Sequence, residues 1–276
     1  RQTGGNPFFV TEVLSGAESN LPATIRDAVL ARVTRLSPSA QAVLQAAAVI
    51  GPRIESWVLA EITGAEAKAA EECLAIGVLV TEGEMLAFRH ELARQIVVES
   101  ISPPRKLALH QMTLDTLKNS PVTRTSLTRL AHHAEGASDR EAILEYAPAA
   151  AKQAAAASAH HTAADLYKLA LRFADDLPSA ERAELWDAYA RERQPLEPQK
   201  EAISARRTAA GLWRAANNPQ RQGESVAYAV LALNEIGARA ECEQAIEEVL
   251  SLLEPLPPCP MLMMTYRTQA MLCLFK

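Results

Sequence analysis

Apolar and polar positions along most of this chain recur at helical spacing. Ile25, Val29, Val33 and Leu36 fall on one face of a predicted helix over residues 23–36, with Arg26, Arg32 and Arg35 mostly off that stripe. Ser37-Pro38 predicts a restart, with Ser as the capping residue and Pro at the first helical position. That helix carries Val43, Leu44, Ala47 and Ala48 and stops near Gly51-Pro52. A short helix follows over 55–62. Thr63-Gly64-Ala65-Glu66 has the form of a capping box and predicts a third helix that ends at Gly77.

The one β signal comes next. Val78 and Val80 alternate on one arm and Leu86 and Phe88 on the other, with Thr81-Glu82-Gly83-Glu84 as the turn. Three helices followed by a hairpin is the order of a winged helix. Further helices are predicted from His90 toward Ser100, and from Arg105 to about Leu117 after Pro103-Pro104. Beyond Val122 the pattern is helical throughout, with a second capping box at Ser138-Asp139-Arg140-Glu141.

Three of these later helices share a small–large–small spacing: Ala163, Tyr167, Ala170; Ala202, Arg206, Ala209; and Cys242, Ile246, Val249, at offsets of 39 and 40 residues. A steady period of helix pairs predicts an α-solenoid. The period exceeds the tetratricopeptide value of about 34, and Arg206 replaces a bulky apolar residue, so the repeats are degenerate and tetratricopeptide-like. The predicted fold class is mainly α: a winged-helix unit with one small β-hairpin, followed by a tetratricopeptide-like α-solenoid. The predicted division is 1–36 (lid helices by the family resemblance given below), 37–120 as the winged-helix-like domain and 121–276 as helical repeats.

Composition sharpens this picture. The 276 residues are 49% hydrophobic but only 5% aromatic, with 11 glycines, as expected for closely packed, alanine-rich helices. The formal net charge of −5 argues against a nucleic-acid surface spread over the whole chain. The third helix of the winged unit carries Glu66, Glu71 and Glu72 against Lys68, which phosphate would repel, so that unit is expected to pack against protein and not to read DNA. Cys73, Cys242, Cys259 and Cys273 form no Cys-x-x-Cys pair and no zinc-finger spacing, which fits free thiols in a reducing cytosol. No apolar run is long enough to cross a membrane, and the expected location is the cytoplasm. The start at Arg1 inside a motif and the end inside an apolar run read as cut ends.

Candidate chemistry is sparse. There is no Gly-x-x-x-x-Gly-Lys-Ser/Thr phosphate loop and no Gly-x-Ser-x-Gly elbow. Thr3-Gly4-Gly5-Asn6-Pro7-Phe8-Phe9 joins residues that permit close backbone approach to a rigid apolar ring; an ordinary loop anchored by Phe8 and Phe9 explains it equally. His90, in Phe88-Arg89-His90-Glu91-Leu92, sits where the hairpin gives way to a helix, and helix N-termini suit phosphate. A packed structural histidine is the plainer reading. His132-His133 and His160-His161 point about 100° apart on a helix, so neither pair alone readily holds one metal. Solvated or packing roles are expected for them, with His110 standing alone.

Taken in order, TGGNPFFVTEVL, LPATIRDAVLARVTRLSPSAQAVLQAAAVIG, FRHELARQIVVES and LAHHAEGASDREAILEYAPAAAKQAAA resemble the middle of large LuxR-type transcriptional regulators of the STAND class of signal-transduction ATPases. The resemblance covers nearly the whole chain and is most specific over residues 3–175. It implies a missing N-terminal P-loop ATPase domain and a missing C-terminal helix-turn-helix domain of the same polypeptide. By the same resemblance Gly5, Asn6 and Pro7 match the family's Gly-x-Pro motif, whose proline lies near adenine. His90 matches the histidine of the Met-His-Asp motif, which contacts the β-phosphate of ADP, although Arg89 and Glu91 replace its neighbours. The implied cofactors are ATP and ADP, with Mg in the intact parent and none bound tightly by this chain alone. The chain itself is expected not to be an enzyme, within a parent that is a slow ATPase switch. An unknown effector is expected on the repeats, with no direct DNA contact from this chain, no membrane, and self-association in the ATP state. Two other readings stay open: the regulatory module of a class III nucleotide cyclase, and a non-switching helical scaffold.

Overall fold

A computed structural model describes residues 23–64, 67–119, 126–196 and 199–274. These are mainly helical with one small antiparallel sheet, as the patterning predicts. By contacts the chain divides into two units: α1 to α6 with His132–Asp139, and Ser126–Ala131 with α8 to α14.

The first unit runs α1 (Ala23–Val33), α2 (Pro38–Ile50), β1 (Arg53–Glu55), α3 (Ser56–Thr63), α4 (Ala67–Ala75), β2 (Leu79–Glu82), β3 (Met85–Phe88), α5 (Glu91–Ser100) and α6 (Pro103–Lys118). Its hub is α2, which packs against α3, α4, α5, α6 and β1. The reason lies in its side chains. Ala40, Ala46, Ala47 and Ala48 are buried beside Val43, Leu44, Val49 and Ile50, and small residues on several faces let several neighbours approach closely. Ser37 caps α2 as expected, its hydroxyl accepting from the Ala40 amide at 3.3 Å with Pro38 in the first turn.

The sheet has the order β1-β3-β2, with Ile54 opposite Leu86 and Leu79 opposite Phe88. Its first strand, β1, is not visible in the sequence, where residue 55 reads as the start of a helix; three residues with one buried apolar side chain, Ile54, leave no periodic signal. The hairpin arm is also shifted. Val78 and Leu79 are buried and Val80 only half-buried, so the expected alternation of Val78 with Val80 does not hold.

Three helix ends differ from the sequence reading. Gly64 adopts a left-handed conformation (φ 55) and closes α3, while the Thr63 hydroxyl donates back to Leu59 O at 2.7 Å. Both residues therefore end a helix, and Ala65-Glu66 lies outside the described residues. Helix α6 starts at Pro103 instead of Arg105, because a proline in the first turn loses no hydrogen bond. Ser138, also left-handed (φ 54), terminates α7 (Leu127–Ala137), with the Asp139 amide donating to Ala134 O at 3.0 Å.

The second unit stacks α8 (Arg140–Ala156), α9 (His160–Leu171), α10 (Ser179–Arg193), α11 (Lys200–Ala215), α12 (Pro219–Glu235), α13 (Arg239–Leu253) and α14 (Pro260–Leu274). From α8 to α13 each helix packs on its sequence neighbours, and α14 covers both α12 and α13. Nearest-neighbour packing of this kind is the pattern of a helical-repeat array. All nine positions of the small–large–small spacing, on α9, α11 and α13, are buried. Gly223 on α12 is needed for the close approach to α13, since a Cβ there would fall on the Leu253 side chain.

Candidate functional site

His90 is the capping residue of α5, exposed, in extended backbone (φ −138, ψ 129). Two neighbours fix it there. Phe88 ends β3 in the core, and the Arg89 amide donates to Val78 O at 3.0 Å, so the chain leaves the sheet at His90. The His90 carbonyl then accepts from the Ala93 and Arg94 amides, which starts the helix. Its imidazole makes no capping hydrogen bond. Arg89 reaches back to Gly77 O at 2.9 Å.

The next residue, Glu91, is an acid in the first turn, where a bound anion would be repelled. Arg94 neutralises it at 2.6 Å and also donates to Ala48 O at 2.9 Å. An exposed imidazole at a helix N-terminus whose first-turn acid is neutralised suits one phosphate contact. Gly5, Asn6 and Pro7 lie outside the described residues, so their expected convergence with His90 does too.

A second constellation also lies in the first unit. His110 comes from α6, and His132 and His133 from α7; one ligand nitrogen from each lies within 4.8 Å of the others. His110 and His133 are buried and His132 is exposed. The Nδ1 atoms of His110 and His133 are 3.1 Å apart, a hydrogen bond in which one ring donates and the other accepts. Ring centroids are 5.2 to 5.5 Å apart across the three pairs.

Burial, with His132 and Lys106 adding to it, pushes the His110 imidazole down to about 4. Burial lowers His132 as well; Glu135 opposes that and Arg94 assists it. Gly136, one helical turn beyond His132, leaves the space the His110 ring occupies, since a Cβ there would fall on the ring. The buried His133 fits the packing role expected of it. No local spacing announces the meeting itself, because His110 stands 23 residues from His133.

A buried polar network crosses the second unit. The Asp187 carboxylate on α10 accepts from Arg206 at 2.7 Å, from the Trp213 indole at 2.8 Å and from the Ser225 hydroxyl at 2.8 and 2.9 Å. The Arg206 guanidinium also lies 4.3 Å from the Tyr228 ring centroid. Burial lowers the Arg206 pKa, and Asp187 opposes that shift. Asp187, Arg206, Ser225 and Tyr228 line a cavity of about 240 Å³ that also touches Arg191, Arg221, Glu224 and Met261. In the sequence Arg206 stands out only as a departure from the repeat pattern; its acid lies 19 residues upstream on another helix. Apart from these sites, His160 pairs with Glu192 at 2.8 Å and His161 is exposed.

Neither the family models nor the curated proteins compared with the sequence gave a match. Among solved structures, the chain is similar to a signal-transduction ATPase with numerous domains that has a tetratricopeptide repeat sensor, from Pyrococcus horikoshii. The identity is 13% and the TM-score 0.41, over 99% of this chain and 53% of that one. The chain thus spans about half the length of that protein. Among the described residues no helix is long and apolar enough to cross a membrane.

Proposed function

We propose that this chain is the central regulatory part of an ATP-dependent LuxR-type regulator of the STAND class, joining nucleotide state to effector sensing. The observation that carries this reading is the placement of His90. It follows a sheet of order β1-β3-β2, built in the sequence helix, strand, helix, helix, strand, strand, and it is exposed at the start of the next helix. That order supports a winged-helix reading, and the stacked helices after it suit a sensor.

In this scheme ADP supplies a phosphate that His90 can hydrogen-bond at the N-terminus of α5. Arg94 holds Glu91 so that its charge does not oppose the contact. Gly5, Asn6 and Pro7 complete the adenine side, and a separate ATPase domain supplies the phosphate loop and the hydrolytic groups. The repeats carry the effector. The cavity around Arg206 is the natural seat for a small polar ligand, because three guanidinium groups and two carboxylates converge there. Effector binding shifts the switch only through different affinities for its two states.

The complete open reading frame tests the assignment. A phosphate loop upstream and a helix-turn-helix downstream are expected. A cyclase domain upstream would instead make the chain a cyclase's regulatory module, and neither flanking domain would make it a scaffold.

A further inference from the structure

We propose that His110, His132 and His133 form a binding site for a divalent transition-metal ion, zinc, which fastens α6 to α7. The inference is independent of the nucleotide reading. Imidazole nitrogens are good ligands for zinc, with bonds of about 2.0–2.1 Å and tetrahedral geometry. Two such nitrogens on one ion stand about 3.3 Å apart. The His110 and His133 Nδ1 atoms are already 3.1 Å apart. Two ligands are thus nearly preset: on binding, the ring that carries the shared proton on Nδ1 becomes the Nε2–H tautomer, and both Nδ1 lone pairs turn to the ion.

The third nitrogen comes from the exposed His132, and the three ligand atoms all lie within 4.8 Å of one another. Water fills the fourth position. Gly136 supports the arrangement, since a Cβ there would overlap the His110 ring. The charged groups acting on the cluster are Lys106 at His110, and Arg94 and Glu135 at His132. The two cations oppose a dication and Glu135 favours it, so a site of moderate affinity is expected.

The test is calorimetric titration of the chelator-stripped full chain with zinc ion. The expected result is one zinc per chain, with affinity reduced at least tenfold in His132→Ala and unchanged in His161→Ala. No saturable binding near one equivalent, or equal affinity in wild type and His132→Ala, would overturn the proposal. So would an equal loss in His161→Ala. Should His132→Ala fail to fold, cobalt on the wild-type chain decides. An intense visible spectrum of tetrahedral nitrogen ligation supports the site, and a weak spectrum like that of the hydrated ion rejects it.

Discussion

The Asp187 carboxylate holds the Arg206 guanidinium at 2.7 Å inside the helical array, with both side chains almost wholly buried. Three more contacts brace the pair: the Trp213 indole and Ser225 hydroxyl on Asp187, and the Tyr228 ring under Arg206. Removing Arg206 leaves the buried Asp187 carboxylate with only the longer, partly exposed contact to Arg221 at 3.8 Å. Arg206→Ala is expected to cost roughly 3–5 kcal/mol. In a double-mutant cycle with Asp187→Ala, followed by urea denaturation, the double mutant should lose clearly less than the sum of the singles. Additive losses would show that the pair is not coupled.

Gly136→Ala should destabilise the protein even though alanine favours a helix by about 1 kcal/mol over glycine. The added methyl meets the His110 ring, and overpacking of this kind costs about 1–3 kcal/mol. Thermal melts of the two proteins check this, and a gain in stability would mean that the ring moves aside freely.

The four free cysteines should divide into two classes. Cys73 and Cys242 are buried, Cys259 half-buried and Cys273 exposed. Cys73 donates to Ala40 O at 3.3 Å, and burial, helped by the Glu72 charge, pushes its thiol up to about 11. A disulfide reagent at pH 8 should react quickly with two thiols and reach the other two only on unfolding. The unfolded thiol ionises near 9 and the folded one near 11, so this contribution is full below about pH 9 and fades as pH rises toward 11. Its size is about 2–3 kcal/mol. Urea midpoints of wild type and Cys73→Ala should differ less at pH 10.5 than at pH 8.

These sites were unequally legible in the sequence. Helix starts with chemistry of their own, such as Ser37-Pro38, and the boundary at His90 could be read directly, because caps and periodicity are local. The buried repeat positions from Ala163 to Val249 could be read for the same reason. The strand β1 could not, since its pairing of Ile54 with Leu86 is made by tertiary contact. Nor could the meeting of His110 with His133 or of Asp187 with Arg206, whose partners sit on different helices. Gly64 was misread because a glycine after threonine can open one helix or close another, and only its left-handed conformation decides.

Nucleotide chemistry gives two further outcomes. The chain on its own is expected to hydrolyse no ATP and to bind it weakly or not at all, and calorimetry showing micromolar affinity would contradict that. The most direct measurement is the nucleotide content of the purified intact regulator with and without His90→Ala, read together with promoter output. The account predicts that wild type retains ADP, that the variant loses it, and that output rises. Unchanged ADP retention with unchanged output would contradict the assignment of His90 and the switch built on it.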